Sequence, residues 1–508
     1  MHVVFRESHG LEETDTPMDL GQSPGDLVVL SFSDSDLGAF AKAWHRGGGP
    51  EGQLPSLRLA NLVALRHPLS VDTYVEQTLS GAKGILIRLI GGVPYWSYGL
   101  QQVRALAEEK GIALAVLPAD GRPDARLDAE STLPQSTLKR LAHLCDTGGE
   151  VAAQAALAQM ALAAGLYAGP VPGSKSIPEM GAWTPARGVY DSAEIPEKRA
   201  QRIILTFYRS YLVAADTAPI EALMSAFEAE GYDVIALYAP SLKAPKAAEW
   251  LRGVIAELAP DAIVNATSFS GRGGDGTSPL DIGNVPVFQV ALSTARRRDW
   301  AESERGLSPS DLAMHVVLPE VDGRIMGGVV SFKEPSKRDP DLEYSRFGHV
   351  ADAERIDAVV ARVNGWLRVA QRPVFERSVA LVLSTYPGKD WNLGHAVGLD
   401  APASARAILE DLAEAGYDVS PAPNDLSSAL IKRDVRWSLA AYREALGGLP
   451  QSLRDDLEEV WGNPESDPVV EDGVFRFSVV QCGKAIIALQ PERGGASHVR
   501  EDEYHDLS

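Results

Sequence analysis

The sequence predicts an α/β protein with several open, mostly parallel sheets in series, and three observations lead to that fold class. Short apolar runs have the length and the branched side chains of buried strands. Segments of helical period, such as Gln101–Lys110 and Pro219–Glu230, lie between these runs. The length of 508 residues corresponds to about three domains at roughly 150 residues each. This alternation is typical of flavodoxin-like or Rossmann-like βα domains.

The predicted strands and the breaks between them give a domain plan. The strands fall, in chain order, at 27–31, 84–90, 113–117, 203–207, 234–238, 262–265 and 378–384. Two stretches suggest boundaries: 169–198 is rich in proline, glycine and charge, and in 348–373 a long amphipathic helix at 351–370 gives way to Gln-Arg-Pro. We therefore expect an N-terminal α/β domain at 1–175, a linker at 176–200, a second α/β domain at 201–372 and a third α/β region at 373–508.

The second and third regions share the same order of sequence features, called here the internal echo. Residues 202–240 and 378–423 both show a strand, a polar loop, a helix that begins at Ala-Pro, the sequence Gly-Tyr-Asp-Val and a second strand. A duplication explains this, and so does the general likeness of βαβ units. Under either explanation the loops 208–217 and 385–400 follow strands, where open α/β sheets bind ligands.

Composition and charge exclude several classes of protein. There are 48 Lys and Arg against 69 Asp and Glu, so the formal charge is −21, and 45% of residues are hydrophobic. Disorder is excluded, and binding to nucleic acid or to an anionic membrane is disfavoured. An anionic ligand would therefore need a locally basic pocket. The two cysteines, Cys145 and Cys482, fit a reducing, cytoplasmic setting.

Other local patterns give no catalytic motif. The N-terminal MHVVFR does not look like a signal peptide, and the uncharged, alanine-rich segment 151–174 predicts a buried helix better than a membrane span. Residues 271–276 fit G-x-G-x-x-G, and 169–176 look like a phosphate-binding loop. However, a proline soon after 271–276 prevents the helix that a dinucleotide-binding motif must open. Residues 169–176 contain prolines and follow a helical segment, whereas a phosphate-binding loop follows a strand. Both segments are therefore predicted to be plain loops. We expect no ATP site, so any ATP-dependent task would need a partner.

Several longer phrases resemble the family of the aerobic cobaltochelatase large subunit (CobN) and the magnesium chelatase H subunit. They extend from near residue 19 towards the C-terminus, and GLSPSDLAMHVVLPEVDGR is the longest of them. These phrases are DLGQSPGDL (19–27), IGGVPYW (90–96), DAIVNATSF (261–269), GLSPSDLAMHVVLPEVDGR (306–324), YPG (386–388) and AVGLDAPAS (396–404). The phrasing is closer to CobN than to the magnesium enzyme.

The resemblance implies insertion of Co²⁺, as substrate metal, into hydrogenobyrinic acid a,c-diamide during cobalamin synthesis. It also implies that separate AAA+ subunits, CobS and CobT, hydrolyse the ATP. Family members are longer, so we expect this chain to be the N-terminal portion of such a subunit, truncated in its third region and inactive alone. No catalytic residue is carried over. A non-catalytic module that binds the macrocycle or docks the AAA+ partners, and a magnesium chelatase H-type subunit, are the alternatives.

A chelatase needs a wide pocket, basic or polar groups for the carboxylates of the macrocycle, and a His or carboxylate near the metal. Polar residues in the loops that follow strands are the candidates for binding the macrocycle. They are Tyr208, Arg209, Asn265, Ser268, Tyr386, Lys389 and His395. His505 is the candidate metal ligand, and Tyr95 with Trp96 could offer an aromatic wall. Each of these residues also has an ordinary structural explanation.

Overall fold

The computed structural model describes residues 17–490, apart from 120–121, 275, 283–284, 385–394, 397, 433–434 and 468. The chain divides into two compact units, Met1–Gly365 and Trp366–Ser508. The predicted α/β class with large, mostly parallel sheets is confirmed. The domain boundaries near 175, 200 and 372 stay predictions. Among the helices of the described residues, none combines the length and the hydropathy that a transmembrane span needs.

The first sheet contains four parallel strands in the order β2-β1-β3-β4. The strands are β1 (Leu27–Ser31), β2 (Leu57–Asn61), β3 (Gly84–Leu89) and β4 (Ala113–Pro118). Their side chains are buried on both faces, which explains why they read as unbroken apolar runs. The helices around them are α1 (Asp34–Arg46), α2 (Pro68–Gln77), α3 (Ser97–Lys110), α4 (Ala125–Ala129), α5 (Gln135–Thr147) and α6 (Gly149–Ala163).

Alternate residues along each strand feed two cores. On β1, Leu27 and Val29 face α1, α5 and α6, whereas Val28 and Leu30 face α2 and α3. The alanine-rich segment forms α6, whose small side chains pack closely against α1, so the prediction of a buried helix is confirmed.

The second sheet has eight strands in the order β12-β11-β10-β9-β7-β8-β5-β6. They are β5 (Gly181–Thr184), β6 (Gly188–Tyr190), β7 (Arg202–Tyr208), β8 (Asp233–Ala239), β9 (Ala262–Asn265), β10 (Val287–Leu292), β11 (Ile325–Pro335) and β12 (Phe347–Ala351). Strands β7 to β11 are parallel, in the flavodoxin-like order. β5 and β6, within the stretch predicted as a linker, form a hairpin that joins this sheet through β8.

Helices connect the strands of the second sheet. They are α7 (Arg209–Val213), α8 (Ala218–Ala229), α9 (Pro245–Leu258), α10 (Arg297–Glu302), α11 (Pro309–Leu312), a π-helical turn (Ala313–Val317) and α12 (Leu318–Val321). A long helix, α13 (Ala353–Gln371), follows β12 and contains the boundary between the units. Single 3₁₀ turns lie at 49–51, 62–65, 79–81, 93–95, 192–194, 374–376 and 464–466.

The second unit has small sheets. β13 (Val379–Leu383) is parallel to β20 (Ala485–Leu489), which is antiparallel to β19 (Val479–Cys482). The other strands are β14 (His395–Ala396), β15 (Leu399–Asp400), β16 (Val435–Ser438), β17 (Val470–Glu471) and β18 (Val474–Phe477). The helices are α14 (Ala401–Glu414), α15 (Leu426–Ile431), α16 (Leu439–Gly447) and α17 (Gln451–Trp461).

The internal echo holds only in part. Gly231 and Gly416, which follow the two matching helices, share a φ of +87°. However, the second strand predicted near 418–423 is wrong, because no strand forms there. Two prolines, Pro421 and Pro423, cannot donate to a strand ladder. Only Asp418 and Ser420 form backbone hydrogen bonds with the β19–β20 turn.

The two large sheets of the first unit are joined by residues 336–346, which connect β11 to β12 and are called here the 336–346 segment. The Glu343 carboxylate accepts hydrogen bonds from the Ser23 amide (2.7 Å) and hydroxyl (2.5 Å), and from Arg58 Nη2 (3.0 Å). Leu342 is inserted into the core around α1. Glu343 has a φ of +50°, a conformation that a non-glycine residue adopts only where its contacts enforce it.

The ion pair between Glu343 and Arg58 predicts that the contact between the 336–346 segment and the first sheet is weakened by acid. Burial opposes ionisation of Glu343, but the hydrogen bonds from Ser23 and the charge of Arg58 hold its pKa below the usual value. Since the pKa is lower in the folded state, its contribution to stability is complete above the unfolded pKa and declines as the pH falls below it.

We expect Glu343→Gln to lower the free energy of unfolding of the first unit by about 2 kcal/mol at pH 7, because a charged hydrogen-bond acceptor is lost. The difference from wild type should shrink at pH 4. Urea titrations at the two pH values measure it. Glu302→Gln, at an exposed position of α10, is the control, and an equal effect of both substitutions would contradict the assignment.

Candidate functional site

The order of strands in the second sheet reverses at the carboxyl ends of β7 and β9, a position called here the crevice. The chain leaves β7 towards β8 on one side, and later strands build outwards from β9 on the other. Ligands of open α/β sheets bind where the order reverses in this way. The structure brings four predicted residues to this place, with Tyr208 and Arg209 at the end of β7 and Asn265 and Ser268 at the end of β9.

Asn265 links the ends of three neighbouring strands. Its Oδ1 accepts hydrogen bonds from Thr206 Oγ1 on β7 (2.7 Å) and from the hydroxyl and amide of Thr267 (2.8 and 3.2 Å). Its Nδ2 donates to Oε1 of Gln289 on β10 at 2.7 Å. Gln289 Nε2 in turn donates to the Thr267 carbonyl at 2.6 Å. These side chains are buried, so the network fixes the course of the loop that leaves β9.

Tyr208 and Ser268 meet across the crevice. The Tyr208 hydroxyl donates to the Ser268 carbonyl at 2.6 Å, and burial raises the pKa of this phenol. Arg209 points elsewhere, since its Nε and Nη2 donate to the carbonyls of Pro178 and Ile177 at 2.9 and 2.8 Å. Its guanidinium therefore holds the chain that precedes β5.

The remaining predicted residues come from other parts of the chain. Tyr386, Lys389 and His505 lie outside the described residues. His395 begins β14 in the second unit, where its backbone pairs with Asp400. Among the residues that the structure describes, no three His, Cys, Asp or Glu side chains are grouped so as to hold a metal ion. The roles assigned to these residues therefore stay predictions.

A buried acidic residue and two histidines next to the crevice were not predicted from the sequence. Asp311 in α11 is fully buried and accepts hydrogen bonds from Ser293 Oγ (3.0 Å), the Thr294 amide (2.8 Å) and Thr294 Oγ1 (3.0 Å). His315, in the π-helical turn, has a buried Nδ1 with no hydrogen-bond partner in the described part of the chain. Burial lowers its pKa against the attraction of Asp311, so the ring is neutral. Single π turns are frequent at functional sites.

His349 on β12 is the second neutral histidine. Burial, the charge of Lys333 and the neighbouring His315 lower its pKa to about 3. Its Nδ1 lies 3.2 Å from the Ser331 hydroxyl, and its backbone amide donates to Asp216 at 3.1 Å. The sequence signal was weak because isolated histidines far apart in the chain carry no spacing pattern.

Tyr95 and Trp96, which were suggested as an aromatic wall, differ in their exposure to solvent. Trp96 is buried and its Nε1 donates to the Leu65 carbonyl at 2.7 Å, so it belongs to the core of the first sheet. Tyr95 is 63% exposed. Of these two residues, only Tyr95 is exposed to solvent.

Comparison with known proteins places the chain in a family. The family described as CobN/Magnesium Chelatase matches residues 141–508. An aerobic cobaltochelatase subunit CobN from Sinorhizobium sp is 35% identical over 97% of this chain and 40% of its own length. The chain belongs to the CobN/magnesium chelatase family. It spans about two fifths of the length of this curated CobN relative.

Two further proteins similar to this chain show which branch of the family it matches best. The catalytic subunit of cobaltochelatase from Mycobacterium tuberculosis has a similar structure, with a TM-score of 0.69 and 28% identity over 92% of this chain and 39% of that one. The magnesium-chelatase H subunit of Rhodobacter capsulatus is 26% identical over 62% of this chain and 29% of its own length. The cobalt relatives therefore match more of the chain.

Two of the phrases that carry the family resemblance meet at the crevice. In DAIVNATSF, the Phe269 amide donates to the carbonyl of Met314, in the π-helical turn, at 2.7 Å. Immediately afterwards, Ser270 Oγ and the Gly271 amide donate to the buried carboxylate of Asp322 at 2.7 and 2.6 Å. The second phrase, 306–324, thus encloses the loop that leaves β9.

The network around Asn265 predicts graded losses of stability. We expect Asn265→Leu to cost about 3 kcal/mol or more, because the buried groups of Thr206, Thr267 and Gln289 lose partners. Thr206→Val should cost about 1 kcal/mol, since Asn265 keeps its bonds to Thr267. Native-state hydrogen exchange of the β7 and β9 amides measures both losses. Equal losses in the two variants would show that Asn265 does not organise the network.

The neutral state of His349 predicts a dependence of stability on pH. Its folded pKa lies below the unfolded value, so the unfolded chain takes up the proton first and stability falls as the pH drops below about 6.5. Wild type should therefore lose about 1 kcal/mol more than His349→Gln between pH 7 and pH 5.5. Urea titrations measure the difference. His143→Gln, on the exposed side of α5, leaves His349 intact and should keep the wild-type loss.

Proposed function

We propose that the chain is the N-terminal part of the large, tetrapyrrole-binding subunit of an ATP-dependent cobaltochelatase. The subunit would act in the insertion of Co²⁺ into hydrogenobyrinic acid a,c-diamide, a ligase reaction that forms nitrogen–metal bonds. The match to the CobN relative over 97% of the chain carries this proposal. A magnesium chelatase H-type role is not favoured, because the magnesium-chelatase relative from Rhodobacter capsulatus matches less of the chain at lower identity.

The crevice supplies polar groups suited to one side of such a ligand. The Tyr208 hydroxyl bonds to the Ser268 carbonyl at 2.6 Å, and the loop after β9 is fixed beside a packed apolar sheet. Polar groups fixed in this way can orient a macrocycle, because they need no rearrangement when it binds. His315 and His349 are neutral, so they add no positive charge near an incoming cation.

We propose that ATP hydrolysis is performed by separate AAA+ subunits, CobS and CobT. The name of the CobN relative, a subunit, supports an enzyme of several chains. A cytoplasmic setting is part of the same proposal and is supported by Cys145 and Cys482, which are both free thiols in buried positions.

The decisive experiment restores the downstream sequence and assays Co²⁺ insertion. With CobS, CobT, Mg-ATP and hydrogenobyrinic acid a,c-diamide, the restored chain should form the cobalt product, and the 508-residue chain should not. Insertion of Mg²⁺ into a porphyrin, without activity towards Co²⁺, would overturn the cobalt assignment. The 508-residue chain alone should still bind the macrocycle, which quenching of its tryptophan fluorescence detects.

A further inference from the structure

A cavity of about 710 Å³ lies inside the first unit, between α1 and the 336–346 segment. Its volume is within the range of pockets that bind small molecules. It is separate from the crevice at the end of β7 and β9, and no residue predicted from the sequence lines it. The walls come from parts of the chain about 300 residues apart in sequence.

The lining is basic although the chain is acidic. Five cationic side chains face two carboxylates, those of Glu150 and Asp339. The cationic residues are Lys42, Arg46, Lys337, Arg338 and Arg346. Asp339 is already bound by His45 Nε2 at 2.5 Å, and Glu150 lies 3.9 Å from Arg46. The cavity therefore has an excess of positive charge against a formal charge of −21 for the whole chain.

Some of these cations are held in place by the protein. Arg338 Nη2 donates to the Gly21 carbonyl at 2.9 Å, and Arg346 Nη2 donates to the Ala215 carbonyl at 2.7 Å. Arg346 also lies 3.3 Å from Asp216, while its Nε is buried without a hydrogen-bond partner among the described residues. Fixed guanidinium groups can bind anions with little loss of side-chain entropy.

Two lysines remain without a partner. Within the described part of the chain, neither Lys42 nor Lys337 has a hydrogen bond or an ion pair from its Nζ. Lys42 is half-buried, and burial together with the charge of Arg346 lowers its pKa. The carboxylates of Glu150, Glu221 and Asp216 attract Lys42 in part, and an anion bound between Lys42 and Arg346 would stabilise both cations further.

We propose that this cavity binds carboxylate groups of a multivalent anionic ligand. Resting on the proposed function, the ligand is the macrocycle, whose acidic side chains would contact Lys42 and Lys337 while Arg338 and Arg346 frame the cavity. Carboxylate is favoured because separate point charges and guanidinium groups around an open cavity suit several dispersed carboxylates. A phosphate group shares the same chemistry and is distinguished in the test.

The test uses the 508-residue chain and the double variant Lys42→Gln/Lys337→Gln. Titrations with hydrogenobyrinic acid a,c-diamide, citrate and pyrophosphate are followed by tryptophan fluorescence or calorimetry. The control is Lys139→Gln/Lys246→Gln, which removes the same charge from exposed positions on α5 and α9. Arg46 and Arg346 are left unchanged because they also bond to the protein. Urea unfolding of each variant verifies that the first unit is folded.

The cavity variant should bind the macrocycle and citrate at least tenfold more weakly than wild type, and added salt should reduce that difference. The control should bind as wild type does. Unchanged macrocycle binding in the cavity variant would overturn the inference and leave the proposed function intact. Binding of citrate that depends on Lys42, with no binding of the macrocycle, would overturn the proposed function instead. Pyrophosphate binding that is tighter than citrate binding would assign the cavity to a phosphate ligand and overturn the carboxylate.

Discussion

The ion pair between Glu343 and Arg58 anchors the 336–346 segment on the first sheet, and the basic cavity depends on that segment. Two charges removed from water stabilise a structure only when other hydrogen bonds satisfy their remaining atoms. Here the amide and hydroxyl of Ser23 complete the Glu343 carboxylate, and Arg58 Nη1 also donates to the Asp341 carbonyl at 2.9 Å. These bonds hold the 336–346 segment against the first sheet. The segment forms one wall of the basic cavity and carries Arg346.

Different polar groups surround the crevice and the basic cavity of the first unit. At the carboxyl ends of β7, β9 and β10, amide and hydroxyl side chains satisfy one another, and His315 and His349 stay neutral because burial disfavours their charged forms. Around the cavity, by contrast, five Lys and Arg side chains outnumber the two carboxylates of the lining. The first place suits orientation of a ligand, and the second suits attraction of its negative charges.

Parts of the fold and the site could be predicted from the sequence because their signals are local. Buried parallel strands read as apolar runs, so the sequence indicated that Tyr208 and Ser268 lie at strand ends, and in the structure they meet at the ends of β7 and β9. Arg209 could not be distinguished from a residue that faces a ligand. Its guanidinium bonds to the backbone carbonyls of Ile177 and Pro178, about 30 residues away, and the sequence does not identify backbone acceptors. Asp311 was hidden because a fully buried carboxylate looks like any other acidic residue until its donors are known.

The sequence by itself determined the α/β class, the place of six strands of the first unit and the family, because hydrophobic period and long phrases are properties of neighbouring residues. Tertiary structure alone decided which distant charges meet. Lys42 and Arg346 are separated by most of the first unit in sequence, and only the docking of the 336–346 segment on α1 brings both to one cavity. The acidity of the chain indicated that an anionic ligand would need a locally basic pocket. The packing of the two sheets supplies one within this chain.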